Sequence, residues 1–203
     1  MTSSALPADY ETVPLSSGSS LNSEVPRWSG SMAKSDSFFI RHTTNIGNTA
    51  TFAQSSIDLG AYVDALGKSV LRIHNIAVTM SDSTGTTSEV TATGSAPFNG
   101  AAAQFQLTTQ TQTDTVLPSN KSVISSGRIV ATGNGNVPSG VWESFDNLPQ
   151  LWTNGYLVAV DTIYLGGEAS ANFDGSVYCS IVMECTVETM TQAGAMALAL
   201  SQQ

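Results

Sequence analysis

The stretch 177-VYCSIVMECTVE-188 decides the fold class of this 203-residue chain. Apolar side chains alternate with mostly polar ones at a period of two, which is the pattern of a β-strand with one buried face. The apolar members are Val177, Cys179, Ile181, Met183, Cys185 and Val187. Cys179 and Cys185 share one strand about 20 Å apart at ~3.3 Å per residue, so we interpret them as small buried hydrophobes and not as a disulfide.

Working outward, short β-branched or aromatic runs are separated by clusters of Gly, Asn, Asp, Ser and Pro. This punctuation is typical of an all-β domain, and seven or eight such strands suit a sandwich. The predicted strands are 38–44, 70–80, 89–93, 103–112, 122–131, 155–165 and 176–188.

Two of these runs have unusual faces. Residues 156–160 are apolar on both faces, which favours a central strand covered on both sides, with Asp161 near its end. In 103–112 one face is polar and is expected either to be solvated or to pair with a neighbour's edge. That face comprises Gln104, Gln106, Thr108, Gln110 and Gln112.

Two segments have helical character. Residues 56–67 have a cap candidate in Ser56 and a terminal Gly67, although Gly60 weakens the helix and a strand followed by a turn is the alternative. The tail, residues 189–203, is rich in Ala and Leu and favours a short helix that must dock on its own body or on a neighbour.

The first 35 residues contrast with the body at 36–188. Residues 1–35 hold three prolines, the run 16-SSGSS-20 and isolated apolar residues without a period, so an extended arm held by neighbouring subunits is expected. The N-terminal residues lack a basic n-region and an apolar h-region, and we expect no classical secretion. The candidate assembly residues in the arm are Leu6, Tyr10, Leu15, Leu21 and Trp28, and those in the tail are Met196, Leu198 and Leu200.

Charge argues against a polyanionic partner. Seven basic and sixteen acidic residues give a formal net charge of −9, and the arm holds only Arg27 and Lys34 as basic residues. Such a chain repels nucleic acid on average, so we expect no direct nucleic-acid binding.

The residues that carry enzyme chemistry are scattered. His42 and His74 lie in predicted strands away from metal-ligand spacings, and we interpret them as structural. The sequence predicts no catalytic site, cofactor or metal, although distant carboxylates at Asp58, Asp64, Glu143, Asp161 and Asp174 are available to converge. The aromatic residues Trp142, Phe145 and Trp152 are expected in a loop packed over one end of the domain.

The Ser/Pro-rich arm, the body of about eight short strands and the Ala/Leu tail together resemble single jelly-roll major capsid proteins of tailless icosahedral viruses of archaea or bacteria. The resemblance spans the chain through architecture and composition. It implies an antiparallel eight-stranded β-sandwich of two four-stranded sheets, a virion location after assembly in the host cytoplasm, and capsomers joined by arms or tails. Partners would be copies of the same chain and other virion proteins, with no membrane span.

The leading hypothesis is therefore a self-assembling shell subunit without enzymatic activity. One alternative is another assembling β-protein, such as a phage tail-tube or decoration protein. A second is a jelly-roll carbohydrate-binding or adhesive domain that uses Trp142, Trp152 or Tyr164 as a stacking surface. A third is an enzyme on a sandwich scaffold, which requires converging carboxylates in a cleft.

Overall fold

A computed structural model describes residues 35–64, 68–90, 99–133, 138–146 and 152–203, with the backbone alone for 138–146. The described part of the chain forms nine strands and one helix. In chain order these are β1 (Phe38–Gly47), β2 (Ala53–Asp58), β3 (Ser69–Ser81), β4 (Asn99–Thr108), β5 (Val123–Gly133), β6 (Pro138–Asp146), β7 (Tyr156–Val158), β8 (Thr162–Ala169), β9 (Val177–Thr189) and α1 (Gln192–Ser201).

The strands make two antiparallel sheets. Sheet I has the order β1-β9-β3-β7, and sheet II has the order β2-β8-β4-β5-β6. With edge strand β6 set aside, eight strands remain, four in each sheet, and the chain crosses between sheets at each connection except the one between β4 and β5. That order is the jelly roll, so the predicted all-β, eight-stranded antiparallel sandwich is confirmed, with one additional edge strand.

The core lies between the two sheets. The odd-numbered side chains from Val177 to Cys185 enter it as predicted, and Cys179, Met183 and Cys185 are fully buried, whereas Val187 is only partly buried. Phe105 and Leu165 meet them from sheet II. Burial raises the pKa of both cysteine thiols to about 12, because desolvation disfavours the thiolate.

Close packing leaves no room for side chains at two neighbouring positions in β8. A Cβ atom on Gly166 would lie 2.5 Å from Cζ of Phe52. A Cβ atom on Gly167 would lie 2.2 Å from the backbone oxygen of Gln104 on the neighbouring strand β4. Gly167 is therefore required by its contact with backbone, whereas a side chain at 166 would have to displace the Phe52 ring.

Several sequence predictions of individual elements were wrong. The helix predicted at 56–67 is the end of β2 followed by a turn at Gly60, as the alternative had it, since Asp58 Oδ1 accepts a hydrogen bond from the Gly60 amide at 2.8 Å. The strand at 155–165 is two strands in different sheets, β7 and β8. The apolar run does not form a central strand, because β7 is an edge strand of sheet I.

Other differences concern the strand at 89–93 and the aromatic loop. In the segment predicted as a strand at 89–93, Val90 forms an isolated bridge with Phe173, and residues 91–93 lie outside the described residues. The segment with Trp142 and Phe145, expected as a loop, is strand β6 paired with β5. The side chains of β6 also lie outside the described part.

Candidate assembly surface

Helix α1 is the element that presents an unusual surface. Its sequence, QAGAMALALS, consists mostly of strong helix formers, and the side chain of Thr191 caps it by accepting a hydrogen bond from the Gly194 amide at 3.2 Å. The tail predicted to favour a helix is helical. Residues 189–203 contain no charged side chain.

One face of α1 docks on the outside of sheet I. Ala195 and Ala199 are buried in a small apolar cluster with Val70 of β3 and Ala159, which follows β7. Leu157, Met190 and Leu198 pack against this cluster. The outer face of β7 is thus covered by α1, which explains why the sequence around it is apolar on both faces.

Gln202, which follows α1, fixes the helix to the body. Its side-chain oxygen accepts a hydrogen bond from the Ala159 amide at 3.0 Å, and its side-chain nitrogen donates to the Leu157 carbonyl at 2.6 Å. Its own backbone carbonyl accepts from the Thr109 hydroxyl at 2.7 Å and from the side-chain nitrogen of Gln110 at 3.1 Å. The helix is therefore held by backbone groups in and after β7 and by two side chains of the segment that follows β4.

The opposite face of α1 is an exposed apolar stripe, hereafter the α1 stripe. Its members are spaced i, i+3, i+4 and i+7, which places them on one side of a helix. They are Ala193, Met196, Ala197 and Leu200. Met196 is 43 % exposed and Leu200 is 68 % exposed. A helix that is apolar on both sides is normally buried on both sides.

Other exposed large hydrophobic side chains in the described residues belong to separate elements. Phe39 lies on β1, Tyr62 in the turn after β2, Leu117 in the loop after β4, and Val130 on β5. Single exposed hydrophobes are ordinary on protein surfaces. The α1 stripe differs because it sets two of them one turn apart.

The predicted tail residues divide between the two faces of α1. Met196 and Leu200 lie together on the α1 stripe, whereas Leu198 packs against its own subunit. The predicted arm residues Leu6, Tyr10, Leu15, Leu21 and Trp28 lie outside the described residues. Sequence reasoning missed Ala193 and Ala197, although their spacing from Met196 and Leu200 was readable.

Residues 109–122, hereafter the cover loop, lie over the part of the outer face of sheet II that Gln104 and Gln106 form. Gln106 is 3 % exposed, and its side-chain oxygen accepts a hydrogen bond from the Val116 amide at 2.9 Å while its nitrogen donates to the Val116 carbonyl. Gln104 donates to the Thr115 hydroxyl at 3.2 Å and to Glu168 at 2.5 Å.

The cover loop corrects the interpretation of the polar face predicted at 103–112. That face is neither a solvated surface nor a free edge, because the chain's own cover loop lies over it. Gln110 and Gln112 lie beyond the end of β4 at Thr108. The Gln112 amide donates to the side-chain oxygen of Gln54 at 3.0 Å, which ties the loop to β2.

A polar cleft of about 660 Å³ lies beside β7 on sheet I. Arg72 and Glu188 form a two-pronged ion pair across it, with Nε to Oε1 and Nη2 to Oε2 distances both 2.7 Å. The Glu188 hydrogen bond raises the pKa of Arg72 above its ordinary value. His74 and Trp152 also line the cleft.

The predicted structural role of the two histidines agrees with their contacts. His42 Nε2 lies 2.6 Å from the Ser55 hydroxyl, and His74 Nε2 lies 2.9 Å from the Thr186 hydroxyl. Burial lowers the pKa of His42. In the described part of the chain, no group of three or more His, Cys, Asp or Glu side chains is placed to hold a metal ion.

One acidic side chain has a clear local role. The Asp82 carboxylate accepts hydrogen bonds from the amides and hydroxyls of Thr84 and Thr86, at 2.7 to 3.0 Å. These bonds hold the pKa of Asp82 well below its ordinary range. The carboxylate orders the turn after β3, which is the usual use of an aspartate there.

Comparisons with known proteins add little to the fold. No protein-family model matches the chain, and no curated protein matches it. A solved structure titled Desmodium yellow mottle tymovirus is 10 % identical, with 89 % of this chain and 95 % of that chain covered, at a TM-score of 0.35. That likeness carries no argument. The jelly roll is established by the strand order.

None of the helices in the described residues has the length and apolar character to cross a membrane.

Proposed function

We propose that this chain is a viral coat subunit that assembles with copies of itself into a closed shell and is located in the virion. The observation that carries the proposal is the α1 stripe, held in place on a jelly roll by Gln202. An apolar ridge fixed on the surface of a protein is typical of an interaction site, and an assembling subunit needs such sites. Fold alone does not carry the proposal, because jelly rolls also occur in lectins and cupins.

The charge distribution supports a structural role without direct contact to a genome. The described basic residues are dispersed along the chain. These basic residues are Arg41 on β1, Lys68 before β3, Arg72 on β3, Lys121 before β5 and Arg128 on β5. Arg72 is paired with Glu188. With a formal net charge of −9, the subunit is expected to leave the genome to other virion components.

Light scattering of the purified full-length protein, with negative-stain imaging of the same sample, tests the shell proposal. Closed particles or large regular capsomers are expected. Stacked rings or tubes would instead support a tail-tube protein. A monomer that persists across protein concentration and salt would rule out the shell.

The arm is proposed to lock neighbouring subunits, with Leu6, Tyr10, Leu15, Leu21 and Trp28 as anchors. A truncation should remove residues 1–34 and keep Ser35, because the Ser35 amide donates to the Val187 carbonyl at 3.1 Å and its hydroxyl accepts from the Val187 amide at 2.8 Å. The truncated protein is expected to fold without assembling. Normal assembly of this variant would reject the role of the arm.

A second candidate function is carbohydrate binding in the cleft beside β7. Sugar sites commonly combine an aromatic ring with charged hydrogen-bonding groups, and Trp152 here lies beside Arg72 and Glu188. Trp152 also contacts Tyr156, with ring centroids 5.1 Å apart. Titration of the full chain with a panel of oligosaccharides, followed by tryptophan fluorescence, tests this function. No saturable change with any sugar would remove it.

A further inference from the structure

The partner of the α1 stripe is identified by the order of its large and small side chains. Along the helix the order is Ala193, Met196, Ala197 and Leu200. Consider a second copy of α1 that lies antiparallel to the first, so that the midpoints between Met196 and Ala197 of the two helices face each other. In this register each large residue meets a small one. Met196 then faces Ala197 of the other copy, and Leu200 faces Ala193.

We propose that α1 pairs with α1 of a second copy, antiparallel, across a local two-fold axis that passes between positions 196 and 197. The pairing rests on the proposed shell function, since it names the partner of the same surface. A two-fold contact requires a surface that is complementary to itself, in which residue i meets residue j and j meets i. The alternation of large and small residues in the α1 stripe satisfies that requirement.

Charge also favours a second copy. The whole chain carries a formal net charge of −9, so two copies repel each other over most of their surfaces. Residues 189–203 hold no charged side chain, so an approach of two α1 helices brings no like-charged side chains from this segment together. Ala193 and Ala197 add no bulk, which allows the helix axes to approach to about 8 Å.

The size of the contact predicts its strength. A helix of 10 residues is about 15 Å long, and its stripe covers far less than the ~800 Å² per partner of a typical stable interface. Isolated pairs are therefore expected to be weak. The contact becomes stable only where other contacts hold the copies together, as in a shell.

Disulfide trapping tests the register. Two full-length variants, Ala193→Cys and Leu200→Cys, are mixed, assembled and oxidised mildly. The antiparallel pair places position 193 of one copy opposite position 200 of the other, within the ~7 Å that a disulfide spans between Cα atoms. Native Cys179 and Cys185 are fully buried, so they add little background.

The expected result is several-fold more covalent dimer in the mixture than in either variant alone. Equal crosslinking within each single variant would indicate a parallel pair and overturn the inference. If the wild-type protein forms particles but the mixture of the two variants shows no excess crosslink, the pairing is overturned and the shell function still stands. If wild type forms no particles, the shell function fails, and the crosslink at high protein concentration still decides whether the helices pair.

A charge substitution provides an independent check. Ala197→Glu places a carboxylate against Met196 of the second copy, whereas Gln203→Glu adds the same charge at an exposed residue beyond the end of α1. The first variant is expected to raise the protein concentration needed for assembly at least several-fold, and the second to leave it unchanged. Both should keep the wild-type circular dichroism spectrum. Equal assembly of the two variants would overturn the pairing.

Discussion

The outer faces of the two sheets are both partly covered, but by different chemistry. On sheet I the cover is α1, an uncharged helix that buries Ala195 and Ala199 and is fixed by one glutamine, Gln202. On sheet II the cover is a loop that glutamine side chains hold by hydrogen bonds to its backbone and hydroxyl groups. The helical cover leaves two large apolar side chains exposed one turn apart, Met196 and Leu200, whereas the loop cover leaves one, Leu117.

The largest effect is expected from placing a charge under the helical cover. Ala195→Asp puts a carboxylate at a position that is 1 % exposed, between α1 and Val70. An unpaired buried charge should lower the free energy of unfolding by about 3 kcal/mol or release the helix. Urea unfolding measures the loss. Ala193→Asp on the exposed side is the matched control, and equal losses in the two variants would contradict the described docking.

A smaller effect is expected from removing the glutamine that fixes the helix. Gln202→Ala leaves the buried Ala159 amide without its partner, which should lower the free energy of unfolding by about 2 kcal/mol. Gln203→Ala, at the exposed next residue, is the control and should be neutral. If both variants unfold at the wild-type urea concentration, Gln202 does not hold the helix.

The loop cover should be weaker still. Gln106→Leu keeps the size of the side chain but removes both hydrogen bonds to Val116. Water can replace these bonds once the loop lifts, so the loss should be about 1 kcal/mol and local. Hydrogen exchange at the Val116 amide should accelerate. Gln104→Leu removes hydrogen bonds to side chains only and should leave the Val116 amide protected. Faster exchange of this amide in both variants would show that Gln106 does not hold the loop in a way that Gln104 does not.

The smallest expected effect is on the two cysteines. Their pKa values of about 12 keep them protonated at neutral pH, and they face the core from β9. Loss of either cover should therefore leave them unreactive towards a thiol reagent in native buffer, while urea makes both react. Rapid labelling of Ala195→Asp under native conditions would mean that the helical cover and the core unfold together.

The sequence predicts these two covers unequally for a physical reason. Period-two alternation in β9 and the Ala/Leu composition of α1 are local signals, and both elements were predicted correctly. The glutamines at 104 and 106 were assigned to one face correctly, but their partners are in the loop that follows β4, and alternation carries no information about what covers a face. For the same reason one strand was predicted at 155–165 where the structure has β7 and β8, because a continuous apolar run contains no signal that the chain passes from one sheet to the other.

The candidate site shows the same division. Met196 and Leu200 were predicted from their hydrophobicity, and their placement on one face follows from helical spacing. That Leu198 faces inward depends on which side of α1 meets Val70, which is a tertiary contact. Gln202 gave no signal in the sequence, because its function comes from two backbone groups at residues 157 and 159.

The paired glycines of β8 have a consequence for sequence drift. In a saturation mutagenesis library selected for folded protein, position 167 should be depleted of every substitution, because a methyl group there meets a backbone oxygen at 2.2 Å. Position 166 should be depleted less strongly, because its contact at 2.5 Å is with the end of the Phe52 ring, which can shift. Gly100 and Gly175 have open space around them and should accept many residues. An invariant glycine at position 167, far from the α1 stripe in sequence, would then mark this fold in distant relatives whose surfaces have diverged.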